Sequence, residues 1–256
     1  MNKKNIIIIG YPKSGTTWLS RLVAELISCP LRGDWGFETL NPPYREGTER
    51  DSDYQCFKSH HIYSDLMDAS TLKFHRAIYI VRDPRDVVVS GCYYFSFLPK
   101  LLAKKNAAAK INPILRKTYN KLVSKKEKKR QMIKAVLSGN KNIDPWLGFS
   151  WKEHYNSYRN KNILIVKYED LIDATELECL KILDHLGITQ TREHILSSIE
   201  NQSFQNRRLM DVDKSDSHQK KLLRKGTYGN WKKEFSKNEK SLFKDRLKKS
   251  SDLYKF

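Results

Sequence analysis

Two glycines five residues apart bracket the run Gly10-Tyr11-Pro12-Lys13-Ser14-Gly15-Thr16-Thr17-Trp18, which packs one ammonium and three hydroxyls into positions 13–17. Such a stretch suits an anion. Glycine turns free backbone N–H groups, and the positive end of a following helix points at the same spot. Downstream, Lys58-Ser59-His60-His61 offers a second ammonium and two imidazoles, a side-chain type that titrates near neutrality and can accept a proton. Arg82 and the late run Arg224-Lys225-Gly226 add groups capable of bidentate and point-charge contacts with anions, although Arg82 taken alone reads more readily as a structural ion-pair residue.

The elements that must position these groups are legible in the hydrophobic pattern. Four consecutive isoleucines, Ile6 to Ile9, read as a parallel strand covered on both faces, and Leu19, Leu22, Val23 and Leu26 form a helical stripe after the loop. Tyr54 to His61 reads as a short strand ending in two histidines. Adjacent strand residues face opposite ways, so only one of His60 and His61 enters a site, and Lys58 shares the face of His60. A helix is expected over 63–73. Arg76 to Val81 reads as a strand that ends in Arg82-Asp83-Pro84-Arg85-Asp86, with Pro84 opening a helix that carries Ser90, Tyr93 and Tyr94. Gly139 to Gly148 reads as a loop and Trp151 to Tyr158 as helical. Asn162 to Asp170 is the last clear strand, followed by a helix over Thr175 to Leu186 that Gly187 closes. Further helices are expected over 191–200 and 238–249. Strands alternating with helices predict a single α/β domain over 1–256, with a central parallel sheet flanked by helices and charged residues at its C-terminal edge.

Composition narrows the function classes. The chain has 256 residues and a formal net charge of +19. From Lys100 to Lys141 there are fourteen Lys or Arg against one acid, Glu127, a net +13. Within that basic segment, about 98–141, Ile111, Leu115, Tyr119 and Leu122 fall on a helical stripe, as in an amphipathic basic helix or a hairpin of helices. No apolar run reaches the ~18 residues of a membrane span, and the first strand begins within five residues, which leaves no room for a signal peptide. Cys29, Cys56, Cys92 and Cys179 are scattered, without a C-x-x-C pair, and read as reduced, mostly buried thiols of a cytoplasmic protein. Arg32 to Arg50 is loop-like, with Trp35, Phe37 and Tyr44 among glycines and prolines. Its aromatics, with Tyr93, Tyr94 and Phe95, suit either the wall of an apolar pocket or anchors to the core.

The loop spacing invites comparison with the nucleotide triphosphate loop G-x-x-x-x-G-K-[ST], but Thr16 stands where the lysine should be and Lys13 lies inside the loop. The full run Tyr11-Pro12-Lys13-Ser14-Gly15-Thr16-Thr17-Trp18 instead resembles the 5′-phosphosulfate loop of sulfotransferases that use 3′-phosphoadenosine 5′-phosphosulfate (PAPS). Four further stretches extend that resemblance over most of the chain: Lys58-Ser59-His60, Tyr79-Ile80-Val81-Arg82 through Ser90, Tyr168-Glu169-Asp170-Leu171, and Arg224-Lys225-Gly226-Thr227-Tyr228-Gly229-Asn230-Trp231-Lys232.

The resemblance implies an α/β fold with a phosphate-binding loop as in nucleotide kinases, and in-line sulfuryl transfer from PAPS to an acceptor hydroxyl without a metal, leaving PAP. It implies His60 as general base and Lys13 stabilising the leaving phosphate. Ser14, Gly15, Thr16 and Thr17 would hold the 5′-phosphate, and Arg82, Ser90, Arg224, Lys225 and Gly226 the 3′-phosphate. Trp18 and Phe204 would stack on the adenine, with Tyr168 and Ser203 beside it. Lys58 would steady the transferring group, a solvated strand lysine being the other reading. The sequence departs from the family pattern in places: Gln202 stands where a threonine is usual, Asn230 replaces an aspartate, and Ser236-Lys237 and Ser241 break the short C-terminal dimer motif, which leaves the oligomeric state open. A hydroxyl-bearing acceptor is expected, whether small molecule, glycolipid or saccharide, and no nucleic acid. The basic segment is expected to meet an anionic membrane surface or a polyanion. A nucleoside or small-molecule kinase is the competing enzyme reading, and a nucleic-acid or anionic-membrane binding protein the alternative from another class.

Overall fold

The computed structural model describes residues 3–37, 45–99, 112–212, 225–247 and 254. The chain divides into two units, Met1–Arg82 with Tyr155–Thr227, and Asp83–His154 with Tyr228–Phe256.

The first unit is built on a five-stranded, wholly parallel sheet in the order β2-β3-β1-β4-β5, with β1 Lys4–Ile9, β2 Leu31–Asp34, β3 Tyr54–Ser59, β4 Phe74–Val81 and β5 Leu164–Lys167. The isoleucine run is the central strand, and all four isoleucines are fully buried. Its pleat divides them: Ile6 and Ile8 join a core with Leu19, Leu22, Val23 and Leu26 of α1 (Thr16–Leu26) and with Cys179, Ile182, Leu183 and Leu186. These last four belong to α8 (Thr175–Leu186), whose predicted bounds hold and whose C-cap, Gly187, is left-handed. Burial of a leucine or isoleucine contributes about 1.5–3 kcal/mol, so the stripe on α1 fixes the helix against the strand that feeds its own loop. Elsewhere in this unit Trp35 packs edge-on against Phe57, and Tyr79 packs against Tyr158 of α6 (Trp151–Tyr158).

Parallel pairing aligns strand ends: Ile9 registers with Ser59 and with Tyr79, and Val81 with Lys167. The residues after β1, β3, β4 and β5 therefore emerge on one edge of the sheet, as expected for ligand binding in open α/β sheets.

Several boundaries differ from the sequence reading. The loop-like stretch after α1 contains β2, a four-residue edge strand whose Gly33 and Asp34 hid it from propensity. β3 ends at Ser59, before the histidines, and the helix expected over 63–73 is α2, Tyr63–Asp68. β5 stops at Lys167, because Tyr168 opens α7 (Tyr168–Asp173). The helix expected over 191–200 is α9, Arg192–Asn201, and α10 (Phe204–Val212) had no sequence signal strong enough to place it.

The second unit packs α3 (Pro84–Tyr94) against α5 (Lys125–Ser138) and against α11 (Trp231–Glu234). Asp83 caps α3 by accepting from the Arg85 N–H, with Pro84 at its first turn. The basic segment is a helical pair where described: α4 (Pro113–Leu122) and α5, whose Ser124 accepts from the Glu127 N–H. A short 3₁₀ turn at Pro145–Leu147 interrupts the following loop, and α12 (Lys237–Leu247) covers the region read as helix over 238–249. The four cysteines are free thiols; burial pushes Cys29, Cys92 and Cys179 up to about 12, so they are not poised as nucleophiles. Among the described residues no helix is long and apolar enough to cross a membrane.

Candidate active site

The loop between β1 and α1 is wound tightly. Ser14 N–H donates to the Tyr11 carbonyl at 3.0 Å, and Lys13 and Gly15 both take left-handed conformations (φ 72° and 103°). Backbone of this kind turns successive N–H groups towards one concave side. Gly15 is required twice over: its φ suits glycine, and a Cβ would come within 2.7 Å of the Tyr168 ring. The ladder of α1 begins with Leu19 N–H donating to Gly15 O, so the N–H groups of Thr16, Thr17 and Trp18 precede it at the positive end of the helix. Ser14 Oγ is buried without a hydrogen-bond partner among the described residues. Thr16, where a nucleotide triphosphate loop carries lysine, is buried at the first position of α1.

His60 follows β3, and its ring is held on this loop: Nδ1 lies 2.6 Å from the carbonyl oxygen of Gly10. A carbonyl only accepts, so Nδ1 carries the proton and Nε2 is the acceptor nitrogen of the neutral ring. His61 turns elsewhere. Its N–H donates to Ser59 Oγ, its Nδ1 lies 3.0 Å from the same hydroxyl, and its carbonyl accepts from Tyr158 OH. Burial holds its imidazole below the ordinary value.

Lys58 is a buried partner in an ion pair rather than a solvated strand lysine. Its register partner across the parallel pair is Asp34, and Nζ stands 3.4 Å from Asp34 Oδ1. Burial lowers the Lys58 pKa and raises that of Asp34, while each charge opposes the shift of the other. Asp34 escaped the sequence reading because β2 did; Gly33 and a charged residue gave no strand signal.

Arg82 continues β4 and is buried. It donates to the Lys13 carbonyl at 3.2 Å and to the Thr227 carbonyl at 3.0 Å, and its guanidinium lies 4.1 Å from the Tyr168 ring centroid. It thus ties the phosphate loop to the late glycine-rich run. Lys225 and Gly226 in that run are exposed, and a Cβ on Gly226 would meet the Phe204 ring at 2.6 Å. Trp18 stands edge-on to Tyr168, with centroids 5.8 Å apart, and donates from Nε1 to the Gln202 carbonyl at 2.9 Å. Trp18, Tyr168, Gln202, Phe204 and Gly226 are therefore knit into the first unit by paired contacts. The side-chain oxygen of Gln202, Oε1, is buried and has no partner among the described residues. Ser203 Oγ accepts from the Asn206 N–H and serves the start of α10.

Ser90 lies on α3 in the second unit, half-buried. There Asp86 accepts from the Gly229 and Trp231 N–H groups, and Arg85, paired with Asp83, lies 3.6 Å from the Trp231 ring centroid. The sequence reading passed over Asp86 as a fastener of the late run. Of the aromatics proposed for an apolar pocket, Trp35 is an anchor instead: it is buried and donates to Leu66 O. Phe37 and Tyr93 are exposed, and Tyr94 stands edge-on to Phe95. Arg224 and Tyr44 lie outside the described residues.

Residues 3–254 match the model of the sulfotransferase domain. The chain belongs to the sulfotransferase family. Among its relatives are sulfotransferase 2A1 of Rattus norvegicus, 29% identical over 94% of this chain and 82% of the relative, and 3-alpha-hydroxysteroid sulfotransferase of Cavia porcellus, 28% identical over 91% and 78%. Its fold is that of the crystal structure of mouse sulfotransferase SULT7A1 complexed with PAP, with a TM-score of 0.64 at 21% identity over 96% of this chain and 85% of the other. Membership sets aside the nucleoside-kinase reading, in line with the lysine that the phosphate loop lacks at position 16.

Proposed function

We propose that this sulfotransferase moves the sulfuryl group of PAPS to the hydroxyl of a lipophilic alcohol, with His60 as general base. The observation that carries the reading is the seat of His60 on the phosphate loop: the Gly10 carbonyl fixes the tautomer and presents Nε2 as the proton acceptor. The donor set fits PAPS. Ser14 Oγ and Gln202 Oε1 are buried without partners among the described residues, one in the phosphate loop and one beside Trp18, and such groups are rarely left unmet in a working site. Bound there, PAPS supplies an activated sulfuryl group. Lys13, Thr16, Thr17 and the first N–H groups of α1 bind anionic oxygens, and Lys13 adds the charge that steadies a departing phosphate. Arg82 and Lys225 bind a second phosphate, with Ser90 and Arg224 assigned there by resemblance. Trp18, Tyr168 and Phe204 orient the purine, and Gln202 Oε1 accepts from its amino group. Lys58, kept charged by Asp34, steadies the transferring group. Support for a lipophilic acceptor comes from the hydroxysteroid named in the guinea-pig relative.

Incubation with labelled PAPS and a panel of sterol-like alcohols, simple phenols, glycolipids and saccharides, followed by mass spectrometry, tests the reading. Sulfated sterol-like alcohol is expected. Product only from saccharides would overturn the acceptor class, and no product from any class together with no PAP binding would overturn the function.

A further inference from the structure

The basic helical pair carries exposed leucines that are not among the residues assigned above to the transfer. On α4, Leu115 and Leu122 are 52% and 72% exposed. They are seven residues apart and so lie on one side of the helix, with exposed Thr118 between them. The opposite side is committed inward: Asn120 accepts from the Phe97 N–H, and Arg116 donates to the carbonyls of Ser96 and Ile143. Lys117 and Lys121 are exposed, Lys121 about 100° round the helix from the leucines and Lys117 farther round, and Lys126 continues the charge at the start of α5. The lysines divide into two groups. Lys125 pairs with Glu234, and Lys129 with Glu239 and the Glu234 carbonyl, so these two fasten α5 within the second unit and cannot be counted as free charge. Lys117, Lys121 and Lys126 are all exposed and sit outside that fastening.

We infer that α4 and the start of α5 dock on an anionic lipid bilayer, with Leu115 and Leu122 entering the headgroup boundary and Lys117, Lys121 and Lys126 meeting the acidic headgroups. Charge complementarity comes from Lys117, Lys121 and Lys126, in a segment whose formal +13 counts Lys125 and Lys129 without their partners Glu234 and Glu239. The leucines select the occupant. A polyanionic saccharide or a nucleic acid would satisfy the lysines but would offer nothing to two exposed leucines, whereas an interfacial helix uses both at once. Each lysine near an acidic leaflet contributes about 1 kcal/mol, roughly a fivefold factor in partitioning, and each leucine adds an apolar contribution that salt does not screen.

Flotation of the full chain with vesicles of phosphatidylcholine alone, or with about 30% phosphatidylserine, tests this directly, beside retention on a heparin column. Binding to the serine-containing vesicles is expected, with little to phosphatidylcholine. The Leu115→Ser/Leu122→Ser variant should lose vesicle partitioning at least tenfold and keep its heparin retention, and Lys117→Gln/Lys121→Gln/Lys126→Gln should lose on the order of a hundredfold at low salt. PAP affinity and circular dichroism should match the parent in both variants, which separates this surface from the transfer site. Heparin retention without vesicle binding, or vesicle binding indifferent to the two leucines, would overturn the inference in favour of a polyanion patch. Binding to neither would overturn it in favour of a solvated face.

Discussion

The imidazole of His60 and the carbonyl of Gly10 are joined by a 2.6 Å contact from Nδ1, which couples the candidate base to the loop proposed to bind the donor's phosphate. Because that carbonyl fixes the ring from the Nδ1 side, substitution should cost base strength without emptying the nucleotide site. His60→Ala is expected to lower kcat by about 10²–10⁴ with PAP affinity changed less than threefold, read by single-turnover kinetics and calorimetry. His61→Ala should remain within tenfold of the parent. The reverse ranking would reassign the base.

Lys13 is expected to trade stability against activity. It is a non-glycine residue held at φ 72°, a conformation that costs a side chain of this kind about 1 kcal/mol. Lys13→Gly should therefore fold at least as stably as the parent. Its turnover should nonetheless fall by about 10²–10³, the usual loss for a transition-state charge stabiliser. A variant both destabilised and fully active would contradict both halves of this account.

How much of this site was legible depended on where each residue sits. The roles of Lys13 and of His60 over His61 came from the family resemblance, whereas the loop announced itself through glycine spacing, because an apolar run followed by punctuation survives any packing context. Asp34 did not: a four-residue edge strand carrying glycine and aspartate has no pattern of its own and exists only because β3 is there to pair with it. Tyr168 was read as the tip of a strand because Ile163 to Val166 sets an extended pattern, whereas the chain turns helical there and packs the ring against Gly15. Trp35, in a glycine-rich stretch, suited a pocket wall as well as an anchor, and only its bond to Leu66 O decided the matter.

The Asp34–Lys58 pair should be asymmetric. Removing the carboxylate strands a buried ammonium, so Asp34→Ala should cost about 1–3 kcal/mol, below the ~3–5 of a fully enclosed pair, since the Asp34 side chain keeps 27% of its exposure. Lys58→Met leaves a carboxylate whose pKa burial already raises and should cost less. The double variant should recover stability relative to Asp34→Ala in urea denaturation. Equal costs for the two single variants would show that the pair does not act through desolvation.

Stability should fall on the acid side of neutrality, and His61 should be one cause. Burial depresses its folded-state pKa below the ordinary 6.5, against the opposing pull of Asp65 and Asp34; His185 is depressed likewise. A depressed value means that the unfolded chain takes up the proton first. The contribution is intact above about pH 6.5 and is lost progressively as pH drops towards the folded values. His61→Asn, whose side-chain amide can meet Ser59 Oγ in place of Nδ1, should narrow the Tm difference between about pH 7.5 and pH 5.5. An unchanged difference would assign the acid sensitivity to other groups.

Gln202 makes the sharpest case for linking an unmet group to the ligand. Its Oε1 is buried without a partner among the described residues, while its backbone carbonyl is held by Trp18. A buried acceptor left unmet costs about 1–3 kcal/mol, whereas an apolar group of similar shape does not. Gln202→Met should therefore stabilise the free protein, or leave it unchanged, in a thermal melt. If Oε1 accepts from the adenine amino group, the same variant should bind PAP about tenfold more weakly. The parent should also discriminate against the hypoxanthine analogue of PAP, whose 6-oxo group would set two acceptors face to face, while Gln202→Met should bind the two nucleotides more nearly alike. Discrimination that survives the substitution would place the purine edge against some other residue and leave Gln202 as packing alone.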